Sequence, residues 1–244
     1  SRPNGEIALK QKVSRHMRIS AASLATLVVL AASTTVSAQT YKVEEIETAP
    51  PSEVAPAITG ALDAKGYRIS EEGGGPLAEI WLRKAIPASE KPGAAKGTIQ
   101  FPFLAEGELL GVARVLEEAG DYRNQAIEKG VYTIRYGLQP VNGDHLGVSP
   151  FRDYALLLPA DSDKDVAALP RKKLEEQSAE AAGTSHPAVF FMLSAPADAM
   201  LSMIHDEDKD AWSVVLPLKL AVPGESEPIP HPVSLIVLGF SDAA

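Results

Sequence analysis

The sequence predicts a mainly β protein, an antiparallel β-sandwich or jelly-roll-like fold with two short helices. Three observations predict it. Strand-length runs of β-branched, aromatic and aliphatic residues recur roughly nine or ten times along the chain. Alternation with a period of two is clean in residues 130–138, where Val131, Thr133 and Arg135 interleave with Tyr132, Ile134 and Tyr136. Segments rich in Gly, Pro, Asp and Asn separate the runs, and the βαβ rhythm of a nucleotide-binding sheet never develops.

Residues 1–16 fit neither a leader nor a fold element, which makes Met17 the more natural start. From there residues 17–38 read as a signal peptide. Arg18, with Lys10, Lys12 and Arg15 before it, supplies positive charge; residues 19–32 are mostly apolar; and Val36-Ser37-Ala38 offers the small residues a signal peptidase reads. A membrane span needs about 20 apolar residues, and Ser33-Thr34-Thr35 ends this run too early. Residues 39–244 are then expected to form a single β-rich domain.

Within that domain, Val54, Ile58 and Leu62 recur every fourth residue, which predicts a short helix ending at Gly66, with Ser52 as cap and Pro56 near the first turn. Residues 67–69 and 77–83 flank Glu71-Glu72-Gly73-Gly74-Gly75-Pro76, the pattern of a β-hairpin. Residues 86–97 lack periodicity and read as a loop. Strands are predicted over 98–103, 108–116, 130–138 and 153–159. A solvated helix follows over 169–182, ended by Gly183. Further strands are predicted over 188–193, 200–204, 212–222 and 233–240, with a proline-rich loop over 223–232.

Composition limits the possible partners. The chain has 244 residues and a net charge of −9, which becomes −13 once the five basic residues and Glu6 of residues 1–38 are removed. So acidic a surface repels phosphate backbones and anionic lipid headgroups, so nucleic acid is not an expected partner. Cysteine is absent, which removes thiol chemistry, thiolate metal sites and a lipid-modified cysteine at the cleavage point. The expected partner is a small molecule, polymer or protein, with no membrane span after the leader is removed and no cofactor.

The segment with most chemistry is the connection over 139–154, Q-P-V-N-G-D-H-L-G-V-S-P-F-R-D-Y. A hairpin loop needs only two to five residues, so a connection of this length between two strands has another reason to exist. Asp144, His145, Arg152, Asp153 and Tyr154 are its candidate binding residues. His145 beside a carboxylate has the makings of a base or ligand, and Arg152 those of an anion clamp. The bland alternative is a turn at Asn142-Gly143-Asp144 with Arg152 paired locally. Ser149 is no nucleophile elbow, because Phe151 stands where the second glycine belongs. The acidic stretches 161–165 and 206–210 resemble calcium loops only at their start; Val166 and Ala211 replace the required glycine, so both read as charged turn tips. His186, His205 and His231 lack zinc-helix spacing, and no metal site is expected.

The runs 78–84 (A-E-I-W-L-R-K) and 130–136 (G-V-Y-T-I-R-Y), with 143–149 (G-D-H-L-G-V-S) and Arg152-Asp153 after them, resemble a set of exported bacterial hypothetical proteins over most of the mature chain. The G-V-Y-T strand is also similar to other uncharacterised periplasmic β-sandwich proteins. The resemblance implies export and a β fold, and it carries no activity and no catalytic residue. Three readings follow: a non-enzymatic periplasmic or secreted binding protein, a hydrolase with His145 and Asp153 among its working groups, or a structural envelope component. N-terminal sequencing of the exported protein is expected to begin at Gln39; a product retaining residues 17–38 would refute the leader.

Overall fold

Alternate burial of strand residues is achieved in this chain by curling one sheet. The structure, a computed structural model, describes residues 39–141 and 149–239; the leader expected at 17–38 lies outside them. In chain order the elements are β1 (Tyr41–Ile46), α1 (Pro56–Ala61), β2 (Gly66–Glu71), β3 (Pro76–Leu82), β4 (Ile86–Pro87), β5 (Leu109–Val115), β6 (Ala119–Gly120), β7 (Ala126–Ile127) and β8 (Gly130–Leu138). Then come β9 (Asp153–Pro159), α2 (Arg171–Ala182), β10 (Ala188–Ser194), β11 (Ser202–Asp206), β12 (Ala211–Ala221) and β13 (Ile229–Leu238). No helix among the described residues is long and apolar enough to cross a membrane.

The protein is mainly β with two helices, but one sheet stands where the sequence pattern predicts two facing layers. Eleven strands run in the order β1-β2-β3-β5-β8-β9-β10-β13-β12-β11, with β4 added in parallel to β12, so the sheet is mixed and curls into a half-barrel. Two stacked sheets and one sheet folded over itself bury alternate residues equally well, so periodicity does not separate them. The inward side chains, among them Ile80, Ile134, Leu157, Phe190, Leu216 and Leu235, form the main core. Outward residues of the same strands are covered too. Ile58 of α1 packs with Trp81, Leu109 and Val112, and Leu174 of α2 with Leu156, Leu158 and Ile236.

Several expected elements shift for local reasons. Pro56 opens α1 at a position where its missing N–H costs nothing, no side chain caps the helix, and Ser52 is not its cap. The helix stops at Ala61, because Gly66 already pairs with Ile46 in β2. Ile86, assigned to a loop, is fully buried in its pairing with Leu220. Residues 98–103 form no strand. They cross the end of the half-barrel opposite Glu71 and Leu238, burying Phe101 and Phe103 as a floor. His231 stands edge-on to both rings, at 5.8 and 5.1 Å, and burial lowers its pKa. α2 ends as expected at Gly183, whose φ of 60° is left-handed.

The largest departure is Arg135. Alternation puts it with Val131 and Thr133 on an outward face, and the 161–165 stretch reads as an exposed tip; instead Arg135 and Asp163 are both fully buried. Arg135 Nε and Nη2 donate to the two carboxylate oxygens of Asp163 at 2.6 and 2.9 Å, and Thr133 Oγ1 donates to the same carboxylate at 2.5 Å. Nη1 donates to the carbonyls of Gly107 and Ala167, at 2.7 and 2.9 Å, and Nη2 also to Asp165. All the N–H groups of the guanidinium are thereby used. Gly107 is required here: its φ is 84°, and a Cβ would lie 2.0 Å from the Leu169 carbonyl oxygen.

Breaking a buried pair leaves an uncompensated charge, whereas replacing both partners by apolar groups does not. Arg135→Met and Asp163→Leu are each expected to lower stability by about 3–5 kcal/mol in urea denaturation, with the double replacement restoring much of the loss. Single variants close to the parent in stability would show that this pair does not hold the loop.

Candidate functional site

The predicted connection is pinned at its base by hydrogen bonds. Asp153, the first residue of β9, is fully buried; its carboxylate accepts the N–H groups of Gln100 and Phe101 at 2.8 and 3.1 Å and the Tyr136 hydroxyl at 2.6 Å. Burial, and then this bond to Asp153, raise the pKa of Tyr136. Arg152 donates from Nε to the carbonyl of Gln139 at 2.6 Å, and its N–H reaches Thr98. Asp153 therefore anchors the floor segment and Arg152 closes the loop. Neither lines the groove or the lumenal cavity described below, and Asp144 and His145 lie outside the described residues.

Tyr154 is the candidate that does reach a concavity. Side chains alternate along β9, so Tyr154 and Leu156 face outward toward α2 while Ala155 and Leu157 face the lumen. Between the outer face and α2 is a groove of about 490 Å³. Leu156, Leu174, Val189 and Pro187 give it apolar walls, and Arg123, Tyr154, His186 and Gln139 bring polar groups to it; three carboxylates also line it, Glu106 and Glu175 paired with Arg171 and Glu176 with Lys172. The Tyr154 ring is oriented by Tyr122 and Phe191, with centroids 6.4 and 5.4 Å away. Burial foremost pushes its hydroxyl pKa up to about 12, against a small opposing effect of its bond to Ser149 and of Arg123. The hydroxyl therefore stays protonated near neutrality and serves as a hydrogen-bonding group, not as a base.

Arg123 and His186 share one scaffold that sequence reasoning missed. Asp121, almost fully buried, follows β6; its carboxylate accepts the N–H groups of Arg123 and Gln125 at 2.9 and 2.8 Å, the Gln125 side-chain amide at 2.8 Å and the N–H of Val189 in β10 at 3.0 Å. Gln125 reaches on to the Pro187 carbonyl at 2.9 Å and accepts the Thr184 hydroxyl at 2.6 Å. One carboxylate thus sets the turn that presents Arg123 and ties it to the segment that presents His186. Its only trace in the sequence is Asp before Asn within a five-residue polar run, a turn signal shared by many loops.

A second concavity opens on the other face of the same strands. It is a lumenal cavity of about 260 Å³ at the end of the half-barrel away from Phe101, with mostly apolar walls. Among the described residues, no three or more His, Asp or Glu side chains converge as metal ligands. No family model, curated protein or solved structure matches the chain.

Proposed function

We propose that the chain is a non-enzymatic binding protein, periplasmic or secreted once residues 17–38 are removed, and that its ligand occupies the groove between β8, β9, β10 and α2. The observation that carries the reading is the convergence of Arg123, Tyr154 and His186 over an apolar wall in a groove of about 490 Å³. Small-molecule sites are typically mostly apolar concavities of roughly 300–1,000 Å³ with a few fixed polar groups. Arg123 makes no side-chain ion pair among the described residues, so its charge is available to a ligand. The ligand class is accordingly a small organic molecule with an apolar body and an anionic group.

The hydrolase reading, built on His145 and Asp153, has less support. Asp153 is sealed from solvent, and Gln100, Phe101 and Tyr136 already bond its oxygens. A general base must reach the proton it takes. For the envelope-component reading, no feature of the fold argues specifically.

The test uses 1-anilinonaphthalene-8-sulfonate, an apolar ring system with one anionic group, as the probe. Saturable one-to-one binding is expected. Arg123→Ala should weaken it by roughly tenfold, the scale of a lost charged hydrogen bond, and Ala179→Trp, which fills the groove from α2, should abolish it with the melting temperature unchanged. Equal binding by both variants would place the ligand elsewhere.

A further inference from the structure

The lumenal cavity has a composition that specifies a different ligand from the groove. Its walls are inward side chains of the large sheet, Ile69, Ile80, Ile134, Leu157, Phe190 and Leu235 among them. Its space comes from alanines at inward positions, Ala78 on β3, Ala113 on β5 and Ala155 on β9, where the neighbouring inward residues are larger. Farther toward the floor the same lumen is filled: Leu82, Met192, Leu216 and Leu218 leave a void of only about 10 Å³. The cavity is thus a blind, apolar pocket with one open end. At about 260 Å³ it lies below the roughly 300–1,000 Å³ usual for drug-sized ligands, and, blind and open at one end only, it suits a slender ligand that enters lengthwise.

The open end has one sign of charge. Glu71, Glu117 and Glu118 line it together with Gln39 and Tyr41, and no lysine or arginine lines it among the described residues. Glu71 accepts a hydrogen bond from the Gln39 side chain at 2.9 Å, and Glu117 pairs with Lys129 at 2.6 Å on the outer surface. Burial, and after it the charge of Glu71, raise the pKa of Tyr41, which is consistent with a negative rim. We infer that the lumen of the half-barrel binds a single-chain alkyl ammonium compound, with the alkyl chain among Ile80, Ala113 and Phe190 and the cationic head at the Glu71 and Glu118 rim. Tyr154 and Leu156 serve the outer groove, and Ala155 and Leu157 the lumen, so the two sites use alternate residues of one strand and are separable by mutation.

The probes are decylamine, decanol and decanoate, titrated calorimetrically below their micelle concentrations against the full chain. Decylamine is expected to bind one-to-one and most tightly, decanoate most weakly. Along the series hexylamine, octylamine and decylamine, affinity should rise by roughly fourfold per methylene until the chain meets the packed floor. Ala113→Leu, which fills the lumen, should weaken decylamine by at least about tenfold, on the scale of the lost methylene contacts, while leaving 1-anilinonaphthalene-8-sulfonate in the groove. Glu71→Gln with Glu118→Gln alters only rim side chains; it should remove the preference for amine over alcohol, a change of roughly fivefold for rim charges, and leave decanol binding unchanged. Decanoate binding as tightly as decylamine, or decylamine binding unaffected by Ala113→Leu, would overturn the inference. Loss of sulfonate binding in Ala179→Trp with decylamine retained would show that the two sites stand or fall separately.

Discussion

The curl of the sheet is the constraint on which the rest of the molecule depends. Strands β1 and β11 are the two ends of one hydrogen-bonded path, and no ladder joins them. The ends nevertheless meet through side chains: Tyr41 of β1 stands edge-on to Trp212 of β12, with ring centroids 5.2 Å apart, and His205 of β11 stacks on the same indole at 4.4 Å. Only with the sheet bent this far do Leu216 and Leu218 of β12 face Leu82 and Ile134 across the lumen and share one core. A flatter sheet would expose that face to water, at roughly 25 cal/mol for each Å² of apolar surface. Floor and lumenal cavity exist because the sheet is curled, and the outer groove is formed where α2 covers its outside.

Buried polar side chains fix the connections that the curl leaves long. Asp121, Asp153 and Asp163 each accept several hydrogen bonds, and each reaches a segment distant in sequence. A short acceptor with two oxygens can satisfy backbone N–H groups where no strand is available, and every buried donor needs such a partner. Asp153 replaces a ladder for residues 100 and 101, Asp121 holds a turn against β10, and Asp163 with Arg135 seals the 161–167 loop over β8. Groups of the kind that suggest chemistry in a sequence are here mostly used to hold the chain in place.

That use explains how far the sequence could be read. β8 and β9 were legible to the residue, because long runs of alternating or continuous apolar residues leave few other states. α2 was legible from its charged run and from Gly183. β1 and the β6 and β7 pair were not, since Tyr41–Ile46 is largely exposed and the other two have two residues each. Residues 98–103 have strand composition, but the Asp153 side chain, 53 residues from Gln100, takes the N–H groups of Gln100 and Phe101 in place of a ladder. Of the candidate binding residues, Tyr154 lines a groove, while Arg152 and Asp153 hold the loop's base. Arg123 and His186 come together only through Asp121 and Gln125, a tertiary arrangement with no local pattern.

The outer groove and the lumenal cavity each join apolar walls to a few polar groups. The lumenal site requires the two ends of the sheet to meet. A double-mutant cycle of Tyr41→Ala and Trp212→Ala in urea denaturation tests that contact most directly. The curled sheet predicts a coupling of about 0.5–1.5 kcal/mol, as for aromatic pairs in contact. Additivity within about 0.3 kcal/mol, as for residues that do not touch, would contradict it.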